Sequence, residues 1–263
     1  MKSAIKSALF KLFPRAATQV FSARARAYSQ KLARDLGCTA LSHKLVDRFG
    51  DRVLHGPFAG LVLSPETRRE HLAPFLLGAY EGELHPTWHS ILEMRFDQLI
   101  DVGAKFGYYA VGLAKRFPEG HVVAFDTDPW ARKAMREMSA ANDVKIEIRG
   151  FCSPEWLRAH LQPGAFIFSD CEGYETTLFE PRDIPNFSSA TMLIEVHEQF
   201  SPGAAKMIRE KFEGSHDITV IPTQWSSCDE FPELASFDPA EREMAVNEYR
   251  TAEQCWMFLR PKI

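Results

Sequence analysis

The segment LIDVGAKFGYYAVGLA, which runs from Leu99 to Ala114, places a carboxylate and two glycines between an apolar run and a helical pattern. Gly103 permits a tight turn that a side chain would block, and Gly107 lets the backbone approach other backbone or a ligand closely. The first N–H groups of the following helix are unpaired and face whatever lies over the loop. The pattern therefore favours binding of a small ligand beside Asp101.

A second carboxylate, Asp126, ends the next apolar run, HVVAFD. Its offset from the glycine loop is typical of an acidic residue that accepts hydrogen bonds from both hydroxyls of a ribose. The loop reads G-x-x-x-G, with Lys105 and Phe106 inside it, and not the G-x-G-x-x-G of a pyrophosphate site. The loop resembles the first motif of S-adenosylmethionine (SAM)-dependent methyltransferases, in which Asp101 would lie near the methionine end. The alternative is an ordinary strand–turn–helix unit with a structural aspartate.

Carboxylates are also crowded in FIFSDCEGYETTLFEP, which runs from Phe166 to Pro181. Asp170 ends a predicted strand, Gly173 permits a close approach, and Glu172 and Glu175 flank that glycine. Such crowding is costly unless cations or shared protons relieve it, and SAM brings a sulfonium and an ammonium group. For Glu175 an equally good explanation is that it caps the following helix, whose N-terminal dipole favours acids.

The next predicted strand ends in EVHEQF, where Glu195 and His197 alternate with Val196 and so share one face of the strand. A histidine with a pKa near neutrality can accept the proton of a hydroxyl group as a general base. His197 is equally well explained as a structural histidine at a strand end. A third interpretation is a divalent cation such as Mg²⁺, held by Asp170 with Glu195 or His197, which would acidify a substrate hydroxyl.

Several of these segments resemble the motifs of one family, the FkbM-type methyltransferases. The resemblance is carried by D-x-E-G-x-E in FIFSDCEGYETTLFEP, by LIDVGAKFGYYAVGLA, by the strand-five segment TMLIEVHEQF and by the upstream GAYEGEL. It covers the chain from Gly78 to His197 and implies SAM-dependent transfer of a methyl group to a hydroxyl of a sugar, a polyketide or another small metabolite. Many members have lysine where this chain has Ser169, so the local charge differs.

Two sets of site residues follow from the motifs and the resemblance. We expect cofactor contacts from Glu81, Asp101, Gly103, Ala104, Gly107, Asp126, Thr127 and Asp170. We expect the catalytic set to be Asp170, Glu195 and His197.

The elements that must position these residues alternate from Phe96 onwards, strand then helix, through seven predicted strands. This alternation predicts an α/β fold: a Rossmann-like, seven-stranded, mostly parallel sheet with helices on both faces. Parallel strands end at one edge, where ligands of such sheets bind. We expect a helical N-terminal extension over residues 1–95, with a small hairpin at 51–66, and the SAM-binding domain over 96–263.

The N-terminal segment from Met1 to Arg34 contains no acidic residue and eight basic ones. Three interpretations remain open: helices that pack on the domain with a basic face to water, a helix that binds a membrane surface or a partner, or a mitochondrial transit peptide over residues 1–28. Five scattered cysteines favour a reducing, cytoplasmic environment over a disulfide framework.

The whole chain has a net charge of −4, which argues against a nucleic-acid partner. We expect a small-molecule or glycan acceptor, and a homodimer is one expectation for the assembly. The segment Pro222 to Thr251 is long, acidic and aromatic, and could form a lid with Trp225, Phe231 and Phe237, or simply pack. A different class of function is a non-catalytic scaffold or partner subunit that docks through the basic segment.

Overall fold

The structure is a computed structural model, and it describes residues 14–65, 67, 71–181, 184–250 and 254–262. The first part of the basic segment, Glu66 of the predicted hairpin and Thr251 of the predicted lid lie outside the described residues. Within them, no helix is both long enough and apolar enough to cross a membrane.

Four α-helices lie in the described residues of the N-terminal part. They are α1 (Pro14–Asp35), α2 (Cys38–Phe49), α3 (Ala73–Leu77) and α4 (His85–Leu92), with a short 3₁₀ helix at Gly82–Leu84. The predicted hairpin at 51–66 is reduced to one antiparallel bridge, Arg52 to Val62. Beside the bridge, the N–H of Gly60 donates to the carbonyl of Val53 and the N–H of Leu63 to the carbonyl of Asp51, each at 2.8 Å.

The remainder of the described chain alternates strands and helices. The strands are β1 (Gln98–Val102), β2 (His121–Phe125), β3 (Glu147–Arg149), β4 (Phe166–Ser169), β5 (Thr191–Val196), β6 (His216–Pro222) and β7 (Cys255–Pro261). The helices are α5 (Tyr108–Arg116), α6 (Pro129–Ala141), α7 (Pro154–His160), α8 (Glu175–Leu178), α9 (Ala204–Phe212) and α10 (Pro239–Val246). Three 3₁₀ helices, Pro185–Ser189, Cys228–Glu230 and Pro232–Leu234, complete the described set.

The sheet has the strand order β3-β2-β1-β4-β5-β7-β6. Strands β1 to β5 pair in parallel, and β7 is antiparallel to both of its neighbours. The predicted Rossmann-like sheet of seven mostly parallel strands is therefore confirmed. The order reverses between β1 and β4, which creates the crevice where ligands of open α/β sheets bind.

Each face of the sheet has its own core, because successive side chains of a strand point to opposite faces. On β1, Leu99 joins the cluster that contains the N-terminal helices, whereas Ile100 and Val102 join the cluster under α7 and α9. Residues of α2, α3 and α4 pack into the first of these cores. The N-terminal part thus packs directly on the sheet, on the face that Asp101 shares with Leu99.

Candidate active site

The glycine turn after β1 is fixed by its contacts with two neighbouring strands. Gly103 has a φ of 91°, and a Cβ there would lie 1.7 Å from the carbonyl oxygen of Asp170. The N–H groups of Gly103 and Ala104 both donate to the carbonyl of Phe125 at 2.9 Å. Position 103 therefore tolerates only glycine, because the chains after β1 and β4 approach too closely for any side chain.

Gly107 also has a left-handed conformation, with a φ of 94°, and precedes α5. A Cβ there would lie 2.7 Å from Cγ of Met135 on α6. Its lack of a side chain thus permits close packing of two helices. Gly107 does not line the cavity described below.

Asp126 follows β2 and is held by backbone donors on both oxygens. Oδ1 accepts the N–H of Asp128 at 2.7 Å, and Oδ2 accepts the N–H of Lys105 at 2.8 Å. Burial raises the pKa of Asp126 to about 6, although these hydrogen bonds oppose the increase. Each carboxylate oxygen has a second lone pair, so the group can still accept hydrogen bonds from a diol. Thr127 is half-buried in the same loop.

Asp101 has no comparable support. It is fully buried, and neither of its carboxylate oxygens accepts a hydrogen bond of normal geometry. Burial raises its pKa well above the ordinary value, the charges of Asp170 and Asp126 raise it further, and the nearby backbone N–H of Ala110 opposes the increase only in part. An unpartnered buried carboxyl group is costly, so a donor or cation placed beside it would be stabilised.

A narrow cavity opens over the turn on this face of the sheet. Of the predicted cofactor residues, Glu81, Asp101, Gly103, Ala104 and Asp170 line it, whereas Gly107, Asp126 and Thr127 lie outside its wall. The remaining wall is largely aromatic, with Phe75, Tyr80, Phe106, Tyr108, Tyr109 and Phe168. Apart from Phe106 in the glycine loop, these aromatic residues were not predicted, because apolar residues in helices, strands and turns pack most often in the core.

Glu81 is fixed at one end of the cavity by groups distant in sequence. The Tyr109 hydroxyl donates to its carboxylate, and the Arg250 guanidinium lies 3.6 Å from its Oε1. Arg250 also pairs with Glu83 and Glu248 at 2.9 Å each. Burial raises the pKa of Glu81 to about 8 despite Arg250. Arg250 carried no motif and was not predicted.

Residues 222–250 of the predicted lid pack as part of the protein core and bring Arg250 to this position. Phe231 and Phe237 are buried, whereas Trp225 is 57% exposed. Lys44 on α2 binds Glu241 of the segment at 2.8 Å. The described part of the segment therefore braces the N-terminal helices and Glu81, and Phe231 and Phe237 do not cover the cavity.

His197 lies at the centre of a cage of carboxylates after β4 and β5. Its Nδ1 donates to Oε1 of Glu175 at 2.6 Å. Its Nε2 faces three acids: Oδ1 of Asp170 at 3.4 Å, Oε2 of Glu172 at 3.6 Å and Oε2 of Glu195 at 3.6 Å. The imidazole is 1% exposed. The structure thus brings together the three predicted catalytic residues and adds Glu172 and Glu175.

The cage changes the protonation of its members. Burial by itself would lower the pKa of His197, but Glu175, Asp170 and Glu172 raise it above the ordinary value. Burial, with the charges of Asp170 and Glu81, raises the pKa of Glu195 to about 11. The imidazole therefore keeps its proton to a higher pH than a free histidine does, and Glu195 is neutral near neutral pH. The pKa near neutrality that the sequence suggested for His197 is thus shifted upwards by the cage.

Glu175 combines two roles. It begins α8, and its Oε1 accepts the N–H of Gly173 at 3.0 Å as well as the imidazole N–H. The sequence analysis considered only helix capping or a contact with SAM, because nothing in the local pattern links positions 175 and 197. Ser169, which stands where many FkbM-type sequences have lysine, donates to Sγ of Cys171 at 3.4 Å.

The potential metal ligands in the structure differ in one residue from those predicted from the sequence. Potential ligand atoms of Asp170, Glu172 and His197 all lie within 4.8 Å of one another, so Glu172 takes the place expected for Glu195. Oxygen and imidazole ligands suit a divalent cation, and Glu175 on Nδ1 is the usual partner of a metal-bound histidine. The residues present therefore fit such an ion chemically.

Comparisons with known proteins give structural neighbours only. No family model and no curated protein matches the chain. Among solved structures, it is similar to an rRNA methylase from Streptococcus thermophilus, with 9% identity, 69% of this chain and 97% of that chain covered, and a TM-score of 0.49.

It is also similar to an O-methyltransferase from Bacillus cereus in complex with SAH, with 13% identity, 89% and 97% coverage and a TM-score of 0.44. A third neighbour is a precorrin-6y C5,15-methyltransferase from Geobacter metallireducens, with 12% identity, 66% and 85% coverage and a TM-score of 0.43. These neighbours are methyltransferases. Identities this low concern the fold alone and do not extend to the reaction.

Proposed function

We propose that this protein is a SAM-dependent methyltransferase that methylates a hydroxyl group of a small metabolite, a sugar or a glycan. The observation that carries the proposal is the buried carboxylate of Asp101, which has no partner and lines a cavity above the glycine turn. Asp126, one strand away, is held by backbone donors in a form that can accept a ribose diol. Together they suit a ligand that carries both a cation and a nucleoside.

The protein residues divide into two groups in this proposal. SAM, when bound, supplies a methyl group already activated on a sulfonium, so that orientation of the reactants contributes most of the rate enhancement. Asp126 binds the ribose, and Asp101 balances the positive charge of the methionine end. The aromatic wall excludes water from the cavity.

On the acceptor side, His197 removes the proton of the hydroxyl group through Nε2. Glu175 holds the ring by Nδ1, and Asp170 and Glu172 orient the acceptor and stabilise the imidazolium. Because these acids raise the pKa of His197, the ring reaches its basic form at a higher pH than a free imidazole does. Activity should therefore rise with pH as the ring loses its proton.

A divalent cation is the second candidate for activating the acceptor hydroxyl. It is favoured by the short separation of the ligand atoms of Asp170, Glu172 and His197. These residues would hold an ion such as Mg²⁺, which would acidify the hydroxyl group. Dialysis against a chelator separates the two. Unchanged turnover supports His197 as the base, whereas a loss that added Mg²⁺ restores supports the cation.

The charge of the site also favours particular acceptors. The carboxylates of Asp170 and Glu172 lie beside the imidazole, so a phosphodiester would meet like charges there. This supports an acceptor that is neutral or cationic and argues against a nucleic acid.

The binding test uses calorimetry and thermal unfolding with SAM and its product SAH, with ATP and NAD as controls. Asp101→Asn should weaken SAM binding by about 10-fold to 100-fold, the range for loss of a charged hydrogen bond. Glu119→Gln is the matched control, since Glu119 is exposed at the opposite edge of the sheet. Absence of binding at millimolar SAM and SAH would contradict the proposal and favour a non-catalytic scaffold.

A further inference from the structure

The helix α1 has one face that packs on the domain. The Arg26 guanidinium pairs with the carboxylate of Asp128 and lies 5.1 Å from the ring of Trp130. Ala33, seven residues further along, is 8% exposed. Positions 26 and 33 lie on the same side of a helix, so this side is the attached face.

The solvent-exposed part of α1 and the residue that follows it carry large apolar side chains. Tyr28 is 70% exposed and Leu32 is 40% exposed, and Leu36, just beyond the helix, is 42% exposed. Their spacing of four residues places them in one stripe along the helix axis. With 100° per residue, Tyr28 and Leu32 lie about 150° and 110° around the helix from the attached face, and the chain continues to Leu36 beyond the helix end. We call these three residues the apolar stripe.

Basic residues accompany the apolar stripe. Arg24 and Arg34 are exposed, and the side chain of Lys31 is 66% exposed although it pairs with Asp35. In the sequence, all 35 acidic residues of the chain follow Arg34, whereas eight basic residues lie at or before it. The chain as a whole has a net charge of −4. The segment up to Arg34, which bears most of the apolar stripe, therefore has a net positive charge, whereas the remainder of the chain has a net negative charge.

We propose that the apolar stripe and its basic neighbours bind an anionic lipid surface, with α1 lying in the plane of the interface. An apolar face takes its place at the boundary of headgroups and acyl chains, while lysine and arginine attract the negative headgroups. A second copy of the chain or another protein fits less well. A stable protein interface needs about 800 Å² on each partner, and three side chains on one helix face provide much less. A basic helix on a lipid surface needs only this narrow stripe together with its charge.

The test is co-sedimentation of the full-length protein with lipid vesicles. The protein should pellet with vesicles of phosphatidylcholine mixed with phosphatidylglycerol and remain in solution with phosphatidylcholine alone. Binding should fall steeply as salt is raised, because salt screens the attraction. Two triple variants test the two parts of the surface: Tyr28→Ser with Leu32→Ser and Leu36→Ser, and Arg24→Gln with Lys31→Gln and Arg34→Gln. Each should lower the vesicle partition coefficient by about 10-fold or more.

A matched variant on α9 controls for exposed residues of the same types. Lys206, Met207 and Arg209 are exposed on that helix, and Lys206→Gln with Met207→Ser and Arg209→Gln should leave vesicle binding unchanged. Circular dichroism and the unfolding temperature verify that each variant folds. Equal binding to neutral vesicles, no binding to anionic vesicles, or equal loss in the α9 variant would overturn the proposal. So would a dimer, seen by analytical ultracentrifugation, that the apolar-stripe variant abolishes.

Discussion

Asp126 and His197 both follow strands of one sheet edge, but they are held in different ways. Both oxygens of Asp126 accept N–H groups of nearby backbone, so its position depends on local loop geometry. His197 is held by Glu175, 22 residues earlier, and faces three further acids. The ribose side of the candidate site is therefore set by the backbone, whereas the acceptor side depends on mutual charge among side chains.

This difference has a consequence for function. A group fixed by backbone donors keeps its orientation with or without a ligand. A group in a cage of titratable side chains changes its protonation whenever a charge enters. We therefore expect turnover to depend on pH through the cage around His197, and SAM binding to strengthen with pH as Asp126, whose pKa is about 6, ionises.

The largest effect should come from His197→Ala. Loss of a general base lowers turnover by about 100-fold to 10,000-fold. SAM affinity, measured by calorimetry, should change little, because His197 does not line the cavity over the glycine turn. The control is His121→Ala, since His121 is 57% exposed at the opposite end of β2. Unchanged turnover in the His197 variant would remove this residue from the mechanism.

Asp126→Ala should have the next largest effect, on SAM affinity, because Asp126 belongs to the ribose side of the site. The variant loses the acceptors for the ribose hydroxyls, and the affinity for SAM should fall by about 10-fold to 100-fold. Turnover at saturating SAM should fall much less. If turnover fell and affinity did not, the proposed division between the two halves would be wrong.

Glu175→Gln tests whether charge in the cage controls His197. Glu175 helps to raise the pKa of the imidazole, so its neutral replacement should lower that pKa. The rise of turnover with pH should then begin at a lower pH than in the wild-type protein, with turnover reduced by about 10-fold through looser positioning. A purely structural role for Glu175 would reduce turnover without moving the pH profile.

The smallest effect concerns stability of the ligand-free protein. Burial raises the pKa of Asp126 to about 6 and that of Glu81 to about 8. A carboxyl group with a raised pKa keeps in the folded state a proton that the unfolded chain has lost, so stability falls as pH rises towards the folded-state pKa. His197, with its raised pKa, contributes in the same direction: its stabilisation is present below about pH 6.5 and is lost as the ring deprotonates.

The unfolding temperature should therefore fall by several degrees between about pH 5 and pH 8. Differential scanning calorimetry measures it, and SAM should reduce the fall because its positive charge stabilises the ionised acids. A rise of the unfolding temperature over this range would contradict the charge distribution described above.

Much of the fold could be predicted because its signals are local. Apolar runs followed by helical periodicity indicate the strands and helices from β1 to β7, and the seven predicted strands are all observed. The alternation of strands and helices predicts a parallel sheet, and a parallel sheet places Asp101, Asp126 and Asp170 at one edge. The tight turn at Gly103 could also be predicted, because only a residue without Cβ permits it.

The sequence by itself thus determined which strand ends carry acids and where the chain turns, since these properties depend on neighbouring residues. The tertiary structure alone decided which charges meet. It brought Arg250 to Glu81 and placed Glu175 against the His197 imidazole, and it left Asp101 without a partner. These pairings join residues far apart in the chain, and the pKa of each group depends on burial and on charges that the local sequence does not contain.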